Sequence, residues 1–228
     1  MSAENSPNPA FKRDSPEAGE PLNSTLGVMK ILAISGSLRV ASLNSTLLRA
    51  AARLAPAGIN VVVYRGLGDL PLFNPDIEAD DPPPVAELRT QILSADALLI
   101  ASPEYAHGVT GVMKNALDWM VSCEAFVHKP VALLNASPRA VHAQAALKET
   151  ITVMSAFFVE EASITVPILG SNLSEDEIVL HPVISASLRE ALVALRVAVD
   201  VAYTDDVKYE EKRPTRRSSG TPQKRGAP

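Results

Sequence analysis

The chain has one cysteine, Cys123, in 228 residues, which excludes an internal disulfide framework. That thiol and four scattered histidines offer no metal-ligand spacing. Aromatic residues are sparse, at 4%, with a single tryptophan. No apolar run is long enough to cross a bilayer, and the polar, proline-containing N-terminus has no signal-peptide hydrophobic stretch, which points to the cytosol. Nor is there an excess of basic charge. A net charge of -5 argues against nucleic acid as the main partner. What is present is ordinary for a globular protein: 46% hydrophobic and 21% charged residues, in a length that suits one domain with tails and is short for two. No internal repeat is visible.

The ends differ from the middle. Residues 1–28 are rich in Ser, Asn, Pro and charge and lack a periodic apolar face, so they read as a disordered tail. Met29 followed by KILAISGS would itself make a start, so the preceding stretch reads as an extension or as an ordinary flexible tail. Residues 204–228 turn polar and locally basic, and read as a solvated tail. Between them, in 29–203, short apolar runs alternate with longer amphipathic ones. The runs Ile31 to Ile34, Val61 to Tyr64, Ala97 to Ala101, Val131 to Asn135 and a weaker Ala162 to Val166 are mostly apolar throughout, as strands covered on both faces are. Leu43 to Leu54, Val85 to Leu93, Gly111 to Val121, Ala140 to Met154 and Val183 to Ala202 carry helical spacing. Strand and helix alternating five times predict right-handed crossovers and a three-layer α/β sandwich. Such sheets bind ligands at the carboxyl ends of their strands.

The turn Gly36 to Asn44 follows the first predicted strand and precedes the first helix, where backbone N–H groups and the helix dipole attract an anion. Ser37, Ser42 and Asn44 add neutral donors, and Arg39 adds a charge. The turn lacks the Gly-Lys-Ser/Thr of a Walker loop and the Gly-x-Gly-x-x-Gly of a dinucleotide fingerprint. Serines also cap helices for structural reasons alone, and Ser42 or Asn44 suits that role. A second strand end carries PEYAHGVTGVMKNALDWM, Pro103 to Met120, so two adjacent strand ends bear loops. A phosphate at the first and a flat surface with backbone donors at the second would suit a mononucleotide with a planar ring. Tyr105 would flank that ring or pack beneath the loop, and both readings stay open.

Together, GSLRVASLN and SPEYAHGVTGVMKNALDW resemble the flavodoxin-like NADPH-dependent FMN reductase family, which includes quinone, azo-dye and chromate reductases. The resemblance covers about Lys30 to Leu195. It implies a five-stranded parallel sheet in the order 2-1-3-4-5. By the match, Ser37, Arg39, Ser42 and Asn44 resemble the phosphate-binding turn. Pro103, Glu104, Tyr105 and Ala106 resemble the loop along the isoalloxazine and ribityl chain, and Ser137 in NASPRA resembles a third contact. The implied cofactors are bound FMN and NADPH or NADH as co-substrate. The implied reaction passes hydride to the flavin and then to a quinone, azo, metal-oxyanion or flavin acceptor. With no credible nucleophile or acid–base pair, the chemistry belongs to the cofactor. A flavodoxin-type electron carrier and a nonenzymatic FMN-binding regulatory module are the alternatives.

Two departures stand out. The commonest family loop has Asn where this chain has Ala106, so only backbone contact survives there. A glycine-rich turn with arginine is replaced by SPRAVHAQ, which holds Arg139 and His142. Arg39 has two open duties, meeting the FMN phosphate or the phosphate of the nicotinamide cofactor. His107 reads as a solvent-facing loop residue, Cys123 as an inert thiol, and Glu160-Glu161 as solvated residues ahead of a strand. Trp119 reads as core or subunit contact. The resemblance implies a homodimer or homotetramer. Val112, Met113, Leu117, Trp119 and Met120 spread wider than one core-facing stripe requires, so part of that helix is expected to face another subunit.

Overall fold

The computed structural model describes residues 27–171 and 173–212. The outer parts of both expected tails, 1–26 and 213–228, lie outside the described residues. Four parallel strands form the centre: β1 (Met29–Ser35), β2 (Ile59–Tyr64), β3 (Ala97–Ala101) and, later in the chain, β6 (Pro130–Asn135). A short hairpin, β4 (Glu104–Tyr105) with β5 (Gly108–Val109), follows β3. Two-residue strands β7 (Phe157–Phe158) and β8 (Ile164–Thr165) both pair with β6. The sheet order is β2-β1-β3-β6-β7, so the expected 2-1-3-4-5 arrangement is present with its fifth position shared by two short strands. The sequence reading placed a single strand at Ala162 to Val166. The 3-10 turn Glu160–Ala162 interrupts that edge instead, and the exposed ring of Phe157 disguises β7 as loop.

Every residue of β3 and β6 is buried, because helices cover both faces of the sheet. The pleat sends Ile31 and Ala33 to one face and Leu32 and Ile34 to the other. The first face is covered by α1 (Leu43–Leu54), α5 (Glu175–Leu180) and α6 (Pro182–Lys212). The second is covered by α2 (Pro83–Leu93), α3 (Gly111–Met120) and α4 (Val141–Val153). Arg49 and Arg53 of α1 reach Glu175 at the start of α5, which fixes that helix against the layer. Helix α5 was not predicted. Its start carries a capping box, in which Ser174 accepts from Glu177 N–H while the Glu177 carboxylate accepts from Ser174 N–H. That bonding holds the Glu177 carboxyl below the usual range. Helix α6 runs past the predicted end at Ala202 to Lys212, since no glycine or proline interrupts it before Pro214.

The wide apolar surface of α3 is used within the chain. Met113, Leu117, Trp119 and Met120 are all buried in the chain's own core and Val112 packs against it, so the core reading of Trp119 holds and the breadth of this apolar surface has its explanation within the chain. The cover is the segment from Gly66 to Asp80, two 3-10 turns joined by an extended stretch. Trp119 Nε1 donates to Pro71 O at 2.8 Å, and the Phe73 ring meets Trp119 edge-on at 5.1 Å. Asn115 completes the tie, accepting from Phe73 N–H at 2.7 Å and donating to Pro71 O at 2.9 Å. Helical periodicity in α3 was legible, but a non-helical cover leaves no periodic signal of its own. Among the described residues, no helix is long and apolar enough to cross a membrane.

Candidate functional site

The carboxyl ends of β1, β3 and β6 open into one cavity of about 480 Å³, in the range of small-molecule sites. Its walls are the turn after β1, the hairpin after β3 and the turn after β6, with Leu169 closing one side. Ser37, Arg39, Ser42, Asn44, Pro103, Glu104, Tyr105 and Ser137 all line it. Ala106 does not.

The first wall is built on close approach. Gly36 N–H donates to Ala101 O at 2.8 Å, and the buried Thr110 hydroxyl donates to Gly36 O at 2.7 Å. A Cβ on Gly36 would lie 2.2 Å from Ser102 Oγ, so only glycine fits between the ends of β1 and β3. Thr110 also caps α3, its hydroxyl accepting from Met113 N–H at 3.4 Å. One side chain therefore registers the turn after β1 against the start of α3. After Gly36 the turn is held by serines: Ser37 N–H donates to Ser35 Oγ, and Arg39 N–H to Ser37 Oγ, each at 3.3 Å. Ser42 caps α1 by accepting from Ser45 N–H at 3.3 Å. That leaves the N–H groups of Leu43 and Asn44, first in the helix, beyond reach of any intrahelical carbonyl, and both residues line the cavity. Asn44 is buried at 7% exposure with its Oδ1 unpartnered. A buried orphan of this kind costs about 1–3 kcal/mol unless a ligand satisfies it.

The second wall is the hairpin. Ala106 and His107 take φ of 49° and 60°, the positive pair that a two-residue hairpin turn demands and that side chains with Cβ adopt at a cost. This geometry carries Ala106 to the exposed tip, away from the lining. Tyr105 is 62% exposed at the rim, so it is free to flank a ligand and does not pack beneath the loop. Glu104 turns its carboxylate to the start of α4, where Oε2 accepts from Ala143 N–H at 2.8 Å. Helix α4 has no side-chain cap of its own, so Glu104 supplies one from across the site, with its negative charge at the positive end of the helix. With that oxygen spent on α4, the Glu104 backbone is the part of the residue that runs along the cavity wall.

The third wall begins at buried Asn135, whose Oδ1 accepts from Ser137 N–H at 3.0 Å, while Ser137 Oγ accepts from Arg139 N–H at 3.2 Å. Asn135, Thr110, Ser102 and Leu169 were missed as site residues. Asn135 and Ser102 close apolar runs, which is the only sequence signal they carry. The fold also sets His142 of α4 against His107, the rings stacked with centroids 4.3 Å apart. Their nitrogens and a Glu104 oxygen lie within 4.8 Å of one another. Spacing along the chain does not show this grouping, because β6 and its loops bring together residues far apart in sequence.

A sequence model of the NADPH-dependent FMN reductase family matches residues 29–168, more than half of the chain and all three walls up to Ile168. The chain belongs to the NADPH-dependent FMN reductase family. It is 45% identical over 112 residues to an NAD(P)H-dependent FMN reductase of Pseudomonas aeruginosa, covering 48% of this chain and 60% of that protein. It is 38% identical over 118 residues to a quinone reductase of Pseudomonas putida, covering 50% of this chain and 63% of the relative. The matched stretch thus spans less than two thirds of either relative. Among solved structures, the flavoenzyme NAD(P)H:(acceptor) oxidoreductase FerB of Paracoccus denitrificans aligns with a TM-score of 0.57 and 27% identity, over 78% of this chain and 98% of that one. An NADH:FMN oxidoreductase aligns with a TM-score of 0.53 at 20% identity, over 75% and 89%, which supports the flavodoxin-like fold alone.

Proposed function

We propose that this family member is an FMN-dependent NAD(P)H oxidoreductase of the FMN reductase and quinone reductase type. The observation that carries the reading is the set of unsatisfied polar groups at the start of α1, the Leu43 and Asn44 N–H groups and the orphaned Asn44 Oδ1, in a cavity at three strand ends. A ligand with a phosphate and hydroxyl groups, as FMN has, satisfies donors and acceptor together. When bound, FMN supplies acceptance and release of hydride. The protein's part is to hold and shape. Leu43 and Asn44 N–H groups donate to phosphate oxygens, and Arg39, exposed at the cavity edge, meets that phosphate or the nicotinamide cofactor's. Pro103 to Tyr105 present backbone along the ring, the Tyr105 ring limits one side, and Ser137 closes the far end. Because hydride carries its own electron pair, no side-chain acid is required. The acceptor is a small molecule, a quinone first among them, and the expected address is the cytoplasm, with a homodimer or homotetramer as the working assembly.

The test is a pair of measurements on the purified full chain. Two charge-assisted bonds to phosphate, at roughly 1.5–3 kcal/mol each, predict FMN binding at least about a hundredfold tighter than riboflavin in a fluorescence titration. Equal affinities would defeat the phosphate assignment. Aerobic NADPH consumption with a quinone is expected from the loaded protein, and its absence with tight FMN binding would make the chain a carrier or binding module. Arg39→Ala is expected to weaken either FMN or NADPH affinity, and whichever moves identifies the phosphate it meets.

A further inference from the structure

We propose that Glu104, His107 and His142 form a binding site for a divalent transition-metal ion of the zinc class at the rim of the cavity. The inference stands on their placement and does not rest on the flavin reading. Two imidazoles and a carboxylate are a ligand set that zinc accepts, with a fourth position left to water. Their ligand atoms lie within 4.8 Å of one another, while tetrahedral zinc asks for about 3.4 Å between ligand atoms at its usual bond lengths. The remaining contraction is small, and the two histidines are exposed side chains able to make it by rotation.

The three residues come from separate parts of the fold. Glu104 is in β4, His107 is in the hairpin turn and His142 is in the first turn of α4. The Glu104 carboxylate is already oriented, since Oε2 is held by Ala143 N–H, which leaves Oε1 for a metal. That bond is the kind of outer partner that fixes a ligating carboxylate. The two imidazoles already lie side by side, centroids 4.3 Å apart with 21° between planes, and turning the rings out of that stack brings an in-plane nitrogen of each onto one ion. The start of α4 opposes a cation, and the carboxylate offsets that opposition. A metal here would staple the hairpin turn to α4 across the edge of the cavity that Glu104 and His107 line.

The experiment uses the metal-free full chain, with any polyhistidine tag removed. Zn²⁺ is followed by calorimetry and Co²⁺ by its visible absorption, with thermal melting in parallel. One ion per chain, a Co²⁺ spectrum of low-coordinate type displaced by Zn²⁺, and a rise in Tm with Zn²⁺ are expected. His142→Ala and His107→Ala should each weaken binding by at least about tenfold, while His128→Ala should leave it unchanged. His142→Ala should keep the native circular dichroism and the cooperative thermal transition of the metal-free chain, which separates ligand loss from misfolding. Binding that survives both ligand variants, or no saturable binding of either metal, would overturn the site.

Discussion

Gly36→Ala tests the claim that the end of β1 and the end of β3 leave no room between them. The new Cβ would stand 2.2 Å from Ser102 Oγ and 2.7 Å from Ser102 Cβ, so rotating the hydroxyl alone does not clear it. Ser102 is 1% exposed and follows β3 directly, so the relief must come from the backbone of one strand end. Overpacking of this kind costs about 1–3 kcal/mol. For a domain of this size that lowers Tm by roughly 2–4 °C per kcal/mol, so about 2–12 °C in all. The displaced turn should also bind FMN more weakly, because Gly36 O anchors Thr110 and the next wall. Ser102→Gly removes both clashing atoms at a cost of its own of about 0.5–1 kcal/mol. In that background Gly36→Ala should cost well under half as much, the remainder coming from Ser102 Cα, which stays 3.1 Å from the new Cβ. Ser102→Ala, which leaves the Cβ, should rescue only part. The assay is a double-mutant cycle in urea with FMN titrations on each variant. A Gly36→Ala protein as stable as the native one, or a cost unchanged by Ser102→Gly, would refute the close-approach argument.

Two further expectations concern the α1 cap and a buried phenol at the end of β2. Ser42→Ala removes the α1 cap and should cost about 1 kcal/mol in urea unfolding, and it should weaken FMN more than riboflavin if the helix start holds the phosphate. The buried Tyr64 hydroxyl has no hydrogen-bond partner among the described residues, and burial, reinforced by Glu87 and Asp69, pushes its pKa from 10.0 to about 12. The neutral phenol therefore supports the fold fully below pH 10, and stability is lost as pH rises from there through about 12. Tyr64→Phe should remove that alkaline loss and leave neutral-pH stability unchanged or up to about 1 kcal/mol higher, as read from urea midpoints at both pH values. A larger destabilisation at neutral pH would show that the hydroxyl is satisfied.

Much of the fold was legible because central parallel strands announce themselves. The unbroken apolar runs of β3 and β6 and the Ser42 cap of α1 mark these elements in the sequence. Edges were not. β7 and β8 have two residues each, too few for periodicity, and α5 is shorter than two turns. The site was legible where a turn carries its own donors, as Ser37 to Asn44 does. It was not legible where one residue acts across the fold. Glu104 capping α4, Thr110 bonded to Gly36 O and His107 against His142 are all products of strand ends meeting.

The tie between Trp119 and the Gly66 to Asp80 segment gives the molecule an optical consequence. The chain's one tryptophan has no exposed surface, and its indole N–H is spent on Pro71 O. Its emission is therefore a single-source signal of whether that irregular cover is seated. Peeling the cover would wet the indole and shift the light to the red while far-ultraviolet ellipticity, which comes from helices and sheet, stays where it was. Local undocking and global unfolding would then be separable in one cuvette with no label added.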